Sequence, residues 1–420
     1  MMGLLVISGL TIGASVVVFL VIVLLLVVLL LFAKAKLMPS GNVKLVVNDE
    51  KTFETPLGGT VLNTLQSKGI FLSSACGGSG SCGQCRCQIP EGGGTILPTE
   101  TGFFTRKQIQ AHWRLGCQTK VKDDMKIVVP EEVFGVKEWE CTVVSNRNVA
   151  SFIKELTVKL PEGETMNFIP GSYIQIKIPA YNLKFTEFAV EDRFRSEWDK
   201  FNMWDLGCQN DEPTMRAYSM ANYPAEGNII KLNVRIATPP FDRKAGTWMA
   251  GIKPGIASSY IFNLKQGDKV TVSGPYGEFH ILDTTSEMLY IGGGAGMAPL
   301  RSQLLHLFKT LKTGRKVSYW YGARSKNEIF YEDDFHAIEK EFPNFNFHIA
   351  LSEPRPEDNW TGLTGFIHQV IHDQYLKDHE APEDIEYYMC GPGPMAKAVE
   401  CMLDNLGVSH EMLHFDDFGA

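Results

Sequence analysis

The first part of the chain is an unbroken apolar stretch. Residues 1–33 contain no ionisable side chain, and the run over 5–32 would extend about 42 Å as an α-helix, enough to cross a bilayer. A cleaved signal peptide is the alternative, but the run is too long for one and no positive residue precedes it. Lys34, Lys36 and Lys44 follow the run. The positive-inside rule therefore predicts a single-pass anchor with its amino terminus outside and everything after it in the cytoplasm.

Three different patterns follow this stretch. Residues 43–130 alternate polar and apolar positions in short predicted strands around a helix near 61–68. From Trp139 to about Asp283 the chain is β-rich with turn residues, which predicts an antiparallel barrel. After Ser286 strands alternate with amphipathic helices, as in an α/β nucleotide-binding domain. At 420 residues the chain is long enough for about three such domains.

Nine cysteines occur, and their spacing is uneven. Cys76, Cys82 and Cys85 form a C-x5-C-x2-C pattern in a glycine-rich loop, with a distant fourth candidate at Cys117. Such crowding favours metal ligation over disulfides and indicates a reducing compartment. Four thiolates match one 2Fe-2S cluster, and glycines let the backbone wrap closely around it. A structural zinc site is the alternative, but zinc modules usually pair two C-x2-C knuckles.

This cysteine loop resembles the ferredoxin family. The plant-type pattern has C-x4-C where this sequence has C-x5-C. The resemblance implies a β-grasp domain with Cys76, Cys82, Cys85 and Cys117 as the metal ligands. Four of the five other thiols are interpreted as structural, and they are Cys87, Cys141, Cys208 and Cys401.

Several short motifs in the β-rich region occur in a recognisable order. They are Arg216-Ala-Tyr218-Ser219, Gly255-Ile-Ala-Ser258 and Gly274-Pro-Tyr-Gly-Glu-Phe279. Together they resemble the ferredoxin-NADP reductase superfamily, which implies FAD. The resemblance places Arg216 on a pyrophosphate oxygen, Tyr218 against the isoalloxazine, and Ser219 near flavin N5 as a catalytic residue. It places Gly255 and Ser258 at the phosphate end, where Ser258 would cap a helix.

The α/β region contains a glycine-rich loop between a predicted strand and a predicted helix. The strand is 288–291, and the helix carries Leu300, Leu304, Leu307 and Leu311 on one face and is closed by Gly314. A glycine loop there lets a pyrophosphate approach the helix start. The predicted NADH-binding residues of the loop are Gly292, Gly293, Gly294, Gly296 and Pro299.

A second loop follows the predicted strand 386–389 and begins with Cys390 and Gly391. The superfamily resemblance implies that Cys390 lies near the nicotinamide ring as a second catalytic residue and that Phe418 lies against the flavin. The residues after Arg324 carry an acidic balance, which disfavours the 2'-phosphate of NADPH and predicts NADH as the substrate. That balance comes from Lys326, Glu328, Glu332, Asp333 and Asp334.

The order of these segments resembles the electron-entry (F) component of the sodium-translocating NADH:quinone reductase family. The resemblance implies a transmembrane anchor over 1–36, a β-grasp 2Fe-2S ferredoxin domain over 37–132, an antiparallel β-barrel FAD domain over 133–284 and an α/β NADH-binding domain over 285–420. It further implies an NADH-oxidising enzyme subunit in a six-subunit complex of the bacterial inner membrane, delivering electrons finally to ubiquinone while sodium is exported.

Two other functions fit parts of the sequence. Reductase components of oxygenases combine the same three modules, but the anchor and the C-x5-C spacing argue against them. A non-catalytic assembly protein with structural zinc is the alternative from another class. Nucleic acid is excluded as a partner because the net charge is −8 and no basic cluster occurs.

Residues 180–215 form an insertion that is unusually rich in aromatic side chains. Barrel connections are usually shorter. The insertion either docks on partner subunits or packs on the barrel of its own chain.

Overall fold

The first element is helix α1, Gly9–Leu37. The computed structural model describes residues 9–37, 41–242 and 244–415, so Phe418 lies outside the described residues. Within those ranges one helix is long and apolar enough to cross a membrane, with its window at Gly13–Leu30, and none of that window is buried. The described part of the predicted anchor therefore forms one continuous helix, and the side chains of its window Gly13–Leu30 are not buried by the rest of the chain.

The chain divides into two compact units, 1–68 with 87–129 and 69–86 with 130–420. The first unit contains a five-stranded sheet in the order β2-β1-β5-β3-β4. Its elements are β1 Asn42–Val47, β2 Lys51–Pro56, α2 Val61–Ser67, β3 Arg86–Glu91, α3 Arg106–Gln110, β4 Trp113–Leu115 and β5 Met125–Val128. Leu45 and Val47 of β1 are buried, as the alternating pattern predicts. The predicted helix near 61–68 is α2.

The second unit begins with a six-stranded antiparallel sheet in the order β11-β8-β15-β6-β7-β12. Its elements are β6 Lys137–Ala150, β7 Ile153–Lys159, β8 Tyr173–Ile178, β9 Tyr181–Lys184, α4 Asp192–Lys200, β10 Gly207–Asn210, β11 Thr214–Ser219, β12 Ile229–Arg235, β13 Phe241–Asp242, β14 Thr247–Trp248, α5 Ile256–Asn263 and β15 Lys269–Tyr276. An isolated bridge pairs Met220, directly after the edge strand β11, with Leu232 in the middle of the other edge strand, β12. The antiparallel arrangement predicted for this region is confirmed.

The aromatic insertion packs on the antiparallel sheet of its own chain. It contains β9, α4 and β10. Four of its aromatic side chains are buried in the core beside that sheet, Phe185, Phe188, Phe194 and Trp198, and three more are partly buried against that core, Tyr181, Phe201 and Trp204. The indole N–H of Trp198 donates to the carbonyl of Ser151 at 2.7 Å. Of the two alternatives, docking on partner subunits or packing on its own chain, the burial of these aromatic side chains supports the second.

We expect Trp198→Ala to lower the free energy of unfolding of the barrel by about 3–5 kcal/mol, because it leaves a cavity in a packed core. The measurement is the shift of the urea midpoint followed by near-ultraviolet circular dichroism. Trp204→Ala is the matched control and should cost less, since Trp204 is half-buried. Equal stability of wild type and Trp198→Ala would contradict the assignment of this side chain to the core.

The last part of the second unit is a parallel six-stranded sheet in the order β19-β18-β17-β16-β20-β21. Its elements are β16 Met288–Gly293, α6 Met297–Leu305, β17 Val317–Ala323, α7 Glu332–Glu341, β18 Phe345–Leu351, β19 Leu363–Thr364, α8 Ile367–Gln374, β20 Glu386–Cys390, α9 Gly393–Asn405 and β21 Leu413–Phe415. The strand order reverses between β16 and β20, which is where sheets of this kind bind ligands.

One detail of the predicted helix after β16 is wrong. Leu300, Leu304 and Leu307 are buried as predicted, but Leu311 is 56% exposed. A π-helical turn over His306–Thr310 follows α6. Its wider turn changes the phase of the helix, so Leu311 no longer shares the apolar face.

Candidate functional site

The two nucleotide loops predicted from the sequence lie side by side. β16 ends in Gly292 and Gly293, and Gly292 is paired with Cys390 at the end of β20. A Cβ at Gly296 would lie 2.1 Å from the carbonyl oxygen of Cys390. The loops therefore touch through their backbones, and this close approach requires glycine. Both loops lie at the point where the strand order reverses.

The other residues predicted for these loops have backbone positions that suit their residue types. Gly294 has φ +56°, a conformation that favours glycine. Pro299 lies in the first turn of α6, where its missing N–H is not needed. A Cβ at Gly391 would lie 3.3 Å from the backbone nitrogen of Gly293. All seven residues predicted to bind NADH thus belong to one pair of adjoining loops.

A cavity of about 870 Å³ opens beside these loops. Of the seven residues predicted to bind NADH, Gly293 and Gly294 line it. Three other side chains of its wall, Arg235, Arg324 and Phe366, were not among the residues predicted to bind the nucleotide. Arg235 ends β12, while Arg324 and Phe366 follow the strands β17 and β19 closely. The signal that the sequence offers for them is their position at or just after the carboxyl end of a strand. In the structure the side chain of Phe366 is 71% exposed.

Strand β11 carries three of the six residues predicted to contact FAD, Arg216, Tyr218 and Ser219. The Nη1 of Arg216 donates to Oγ1 of Thr214 at 2.8 Å and to the carbonyl of Met215 at 2.7 Å. Burial raises the pKa of the Tyr218 phenol, and the neighbouring Arg216 partly opposes this. Tyr218 therefore stays protonated at neutral pH. Ser219 is buried and is paired with Tyr173 of β8.

Helix α5 begins at the predicted phosphate end of the flavin site, but its cap differs from the prediction. Gly255 is the N-cap residue and makes no side-chain cap. Ser258 lies inside the first turn, where its hydroxyl accepts from the N–H of Ala237 at 3.0 Å and lies 3.2 Å from the carbonyl of Gly255. The prediction that Ser258 caps this helix is wrong. Its hydroxyl instead ties α5 to the chain after β12.

The glycine-rich cysteine loop lies against strand β11. A Cβ at Gly77 would lie 2.4 Å from the carbonyl oxygen of Met215 and 2.2 Å from Nη1 of Arg216. Four glycines of the loop have positive φ, Gly77, Gly78, Gly80 and Gly83. The loop therefore wraps in a way that larger residues resist, as predicted. It places the cysteines next to the strand predicted to bind the flavin.

The cysteine side chains are partly brought together. The Sγ atoms of Cys76 and Cys82 are 3.3 Å apart. The hydrogen bond from Cys82 lowers the pKa of Cys76 to about 2 and raises that of Cys82. Cys85 and Cys117 are buried. Within the described residues there is no group of three or more His, Cys, Asp or Glu side chains that could hold a metal ion. Close thiols in a glycine-rich loop fit an iron-sulfur cluster, and the full ligand set rests on the sequence spacing.

The amide of Gln84, between Cys82 and Cys85, ties the cysteine loop to strand β8. The hydroxyl of Tyr173 donates to Oε1 of Gln84 at 2.8 Å, and the N–H of Ala75 donates to the same oxygen at 3.3 Å. Tyr173 is also stacked on Tyr276, with ring centroids 5.5 Å apart. Nothing in the sequence pattern singles out Gln84 or Tyr173, because their contact joins distant segments.

A buried ion pair fixes the segment that leads to Cys117. Nη2 of Arg114 lies 2.8 Å from Oε2 of Glu100, and both side chains are almost fully buried. Glu100 also accepts from the backbone N–H of Leu115 at 2.8 Å. The pair therefore holds the backbone just before Cys117, a role that the sequence did not reveal.

Similarity to known proteins covers almost the whole length of this chain. The F subunit of the Na(+)-translocating NADH-quinone reductase of Pseudomonas aeruginosa (strain UCBPP-PA14) is 55% identical over 390 residues, which cover 93% of this chain and 94% of that protein. The F subunit of Methylococcus capsulatus (strain ATCC 33009 / NCIMB 11132 / Bath) is 55% identical, covering 93% and 95%. This chain belongs to that F-subunit family.

Three domain families match separate segments of this F-subunit chain. Residues 45–122 match the 2Fe-2S iron-sulfur cluster binding domain, residues 200–281 the oxidoreductase FAD-binding domain, and residues 290–401 the oxidoreductase NAD-binding domain. The predictions of a 2Fe-2S cluster, FAD and NADH as the redox groups are confirmed. The matches favour iron-sulfur over the zinc alternative.

Solved structures support the fold. A cytochrome P450 reductase of Amycolatopsis, GcoB, is similar with a TM-score of 0.61 and 20% identity, covering 90% of this chain and 98% of that one. The ferredoxin reductase in carbazole 1,9a-dioxygenase has a TM-score of 0.57 and 22% identity, covering 90% and 99%. At such identities the likeness concerns the fold alone, and the predicted combination of α+β, antiparallel β and α/β modules is confirmed.

Proposed function

We propose that the chain is the NADH-oxidising, electron-entry subunit of a sodium-translocating NADH:ubiquinone reductase complex. The observation that carries the proposal is the contact of Gly77, in the cysteine loop, with Met215 and Arg216 on strand β11. The same loop carries Cys76, Cys82 and Cys85, and β11 carries Arg216, Tyr218 and Ser219, so the contact supports direct transfer between the two proposed sites. The full-length similarity to F-subunit proteins supports the same function.

The flavin contacts are proposed for β11 and α5. FAD held there would supply the conversion of a hydride's electron pair into single electrons, which is the form that a 2Fe-2S cluster takes up. Arg216 binds the pyrophosphate by charge-assisted hydrogen bonds, and Tyr218 covers the ring system. Ser219 donates a hydrogen bond near the reacting nitrogen. Gly255 and Ser258 position the first turn of α5 at the phosphate end.

The NADH contacts are proposed for the two adjoining loops. The backbone of Gly292–Gly296 approaches the pyrophosphate at the start of α6. Cys390, with Gly391 behind it, contacts the nicotinamide ring as the second catalytic residue. Phe418, the remaining residue predicted to contact the flavin, lies outside the described residues. Cys76, Cys82, Cys85 and Cys117 hold the cluster.

The cellular setting is proposed from the anchor and the family. Helix α1 spans the bacterial inner membrane once, and the lysines after it keep the remaining chain in the cytoplasm, where NADH is available. The complete complex has six subunits, and the partner subunits pass the electrons to ubiquinone and export sodium. We propose the four domains over 1–36, 37–132, 133–284 and 285–420.

We expect Arg216→Leu to weaken FAD binding by about 10- to 150-fold, because a charge-assisted hydrogen bond contributes about 1.5–3 kcal/mol. The measurement is the dissociation constant of FAD from fluorescence quenching. Tyr218→Leu should weaken binding too, since it removes the stacking surface. Arg193→Leu, an exposed arginine on α4, is the matched control. Full FAD occupancy in both site variants after gel filtration would contradict the assignment.

The function itself is tested in membranes that contain all partner subunits. We expect NADH-driven, sodium-dependent ubiquinone reduction to vanish when this chain is omitted and to return when the full-length chain is supplied. Quinone reduction that proceeds equally without the chain would refute its role as the entry point.

A further inference from the structure

The aromatic insertion supplies one charged side chain that reaches the nucleotide-binding sheet. Glu197 of α4 is almost fully buried, and its two oxygens bind two arginines. Oε2 lies 2.7 Å from Nη2 of Arg324, and Oε1 lies 2.5 Å from Nη2 of Arg355. A buried carboxylate is stable only when it is paired in this way. The arginine positions are therefore coupled to an element outside the nucleotide-binding fold.

Arg324 occupies the position where cofactors with and without a 2'-phosphate are distinguished. It follows β17 directly, and β17 neighbours β16, the strand that ends in the predicted pyrophosphate loop. In nucleotide-binding sheets the ribose of the adenosine lies at the end of this second strand. Arg324 also lines the cavity together with Gly294. An arginine here ordinarily accommodates the 2'-phosphate of NADPH.

In this chain two carboxylates already engage Arg324. Besides Glu197, Oε1 of Glu328 lies 3.5 Å from the same nitrogen. Glu328 is itself fixed by Ser151, whose hydroxyl donates at 2.5 Å and whose N–H donates at 3.2 Å. A 2'-phosphate arriving at Arg324 would meet a guanidinium whose charge is neutralised and two carboxylates of its own sign.

The acidic run in the sequence accounts for only one of these two carboxylates, Glu328. Asp334 is paired with Arg301, and Glu332–Asp334 lie in the first turn of α7. Of the charged residues predicted to exclude a 2'-phosphate, Glu328 lines the cavity. The second carboxylate comes from the insertion, far away in sequence.

We infer that Glu197 is a specificity-determining residue, which holds Arg324 in an ion pair and so makes the site reject nucleotides with a 2'-phosphate. This inference rests on the proposed NADH oxidation. The ligand class that it excludes is the 2'-phosphorylated adenosine of NADPH. It also gives the insertion a role beyond filling the barrel core.

The test compares binding of 2',5'-ADP with binding of 5'-AMP to the flavin-loaded full-length chain. We expect Glu197→Gln to tighten 2',5'-ADP relative to 5'-AMP by about tenfold or more, because it releases a cation within contact distance of the phosphate. The ratio of kcat/KM for NADPH to that for NADH, with ferricyanide as acceptor, should rise in parallel. Glu197→Asp, which keeps the charge, should retain the wild-type preference.

Two further variants make the result specific. In the double variant Glu197→Gln/Arg324→Gln the gain should disappear, since Arg324, the side chain inferred to bind the phosphate, is gone. Glu341→Gln removes an exposed carboxylate paired with Lys309 and should leave the ratio unchanged. An unchanged ratio in Glu197→Gln, or a gain that persists in the double variant, would overturn the inference.

The inference can still be tested if the variant Glu197→Gln fails to fold. Should Glu197→Gln lose its FAD, Arg324→Gln alone decides, because that side chain is one-third exposed. We expect it to weaken 2',5'-ADP more than 5'-AMP, and equal losses would refute the inference. Failure of the proposed function looks different, since wild-type protein would then not reduce its flavin with NADH at all.

Discussion

Replacing Cys85 by serine is expected to stop electron exit while leaving flavin reduction by NADH intact. Cys85 is buried in the glycine-rich loop and is one of the four proposed ligands. Replacing a residue that only hydrogen-bonds to a metal ligand already costs about 10- to 100-fold in metal affinity or activity, so replacing a ligand itself should cost more. The measurement is NADH-driven quinone reduction in membranes, alongside stopped-flow bleaching of FAD in the same variant.

Cys401→Ser is the control for this experiment, since Cys401 is exposed on α9 and has no proposed role. It should leave both rates unchanged. Loss of flavin reduction together with quinone reduction in folded Cys85→Ser protein would contradict the separation of the two steps. Normal quinone reduction in that variant would remove Cys85 from the ligand set.

The second large effect is expected at Gly296. An alanine Cβ there would lie 2.1 Å from the carbonyl oxygen of Cys390, and the obstacle is backbone rather than a flexible side chain. The two nucleotide loops must therefore move apart. Misplacement by about 1 Å can cost about a hundredfold in rate, which is the fall we expect in kcat/KM for NADH. FAD content should stay at the wild-type level, because none of the proposed flavin contacts lies in these loops.

Gly314→Ala is the matched control for this substitution, since nothing lies within 4 Å of the added Cβ. Its kinetics should equal those of the wild type. If Gly296→Ala oxidised NADH at the wild-type rate, the adjoining loops would not be the cofactor site.

Features that depend on neighbouring residues were predictable from the sequence. The strand β16, the glycine loop after it and the helix α6 follow from hydrophobic period and glycine placement, and the structure has them. The cysteine spacing likewise indicated an iron-sulfur loop. These signals are local, because backbone approach and turn geometry are set within a few residues.

Features that depend on distant partners were not predictable. Leu311 left the apolar face because a π-helical turn precedes it, and Ser258 bonds to Ala237 instead of capping its helix. The role of Glu197 depends on arginines more than a hundred residues away in sequence. A single sequence carries no pattern that pairs such positions.

The central claim is that electrons pass from NADH through the flavin to the cluster within this one chain. The direct measurement is anaerobic rapid mixing of the purified full-length protein with NADH, following flavin absorbance and the electron paramagnetic resonance of the reduced cluster. The account predicts that flavin absorbance falls first, that the cluster signal follows, and that protein stripped of FAD gives no cluster signal. A cluster reduced equally fast without FAD would contradict it.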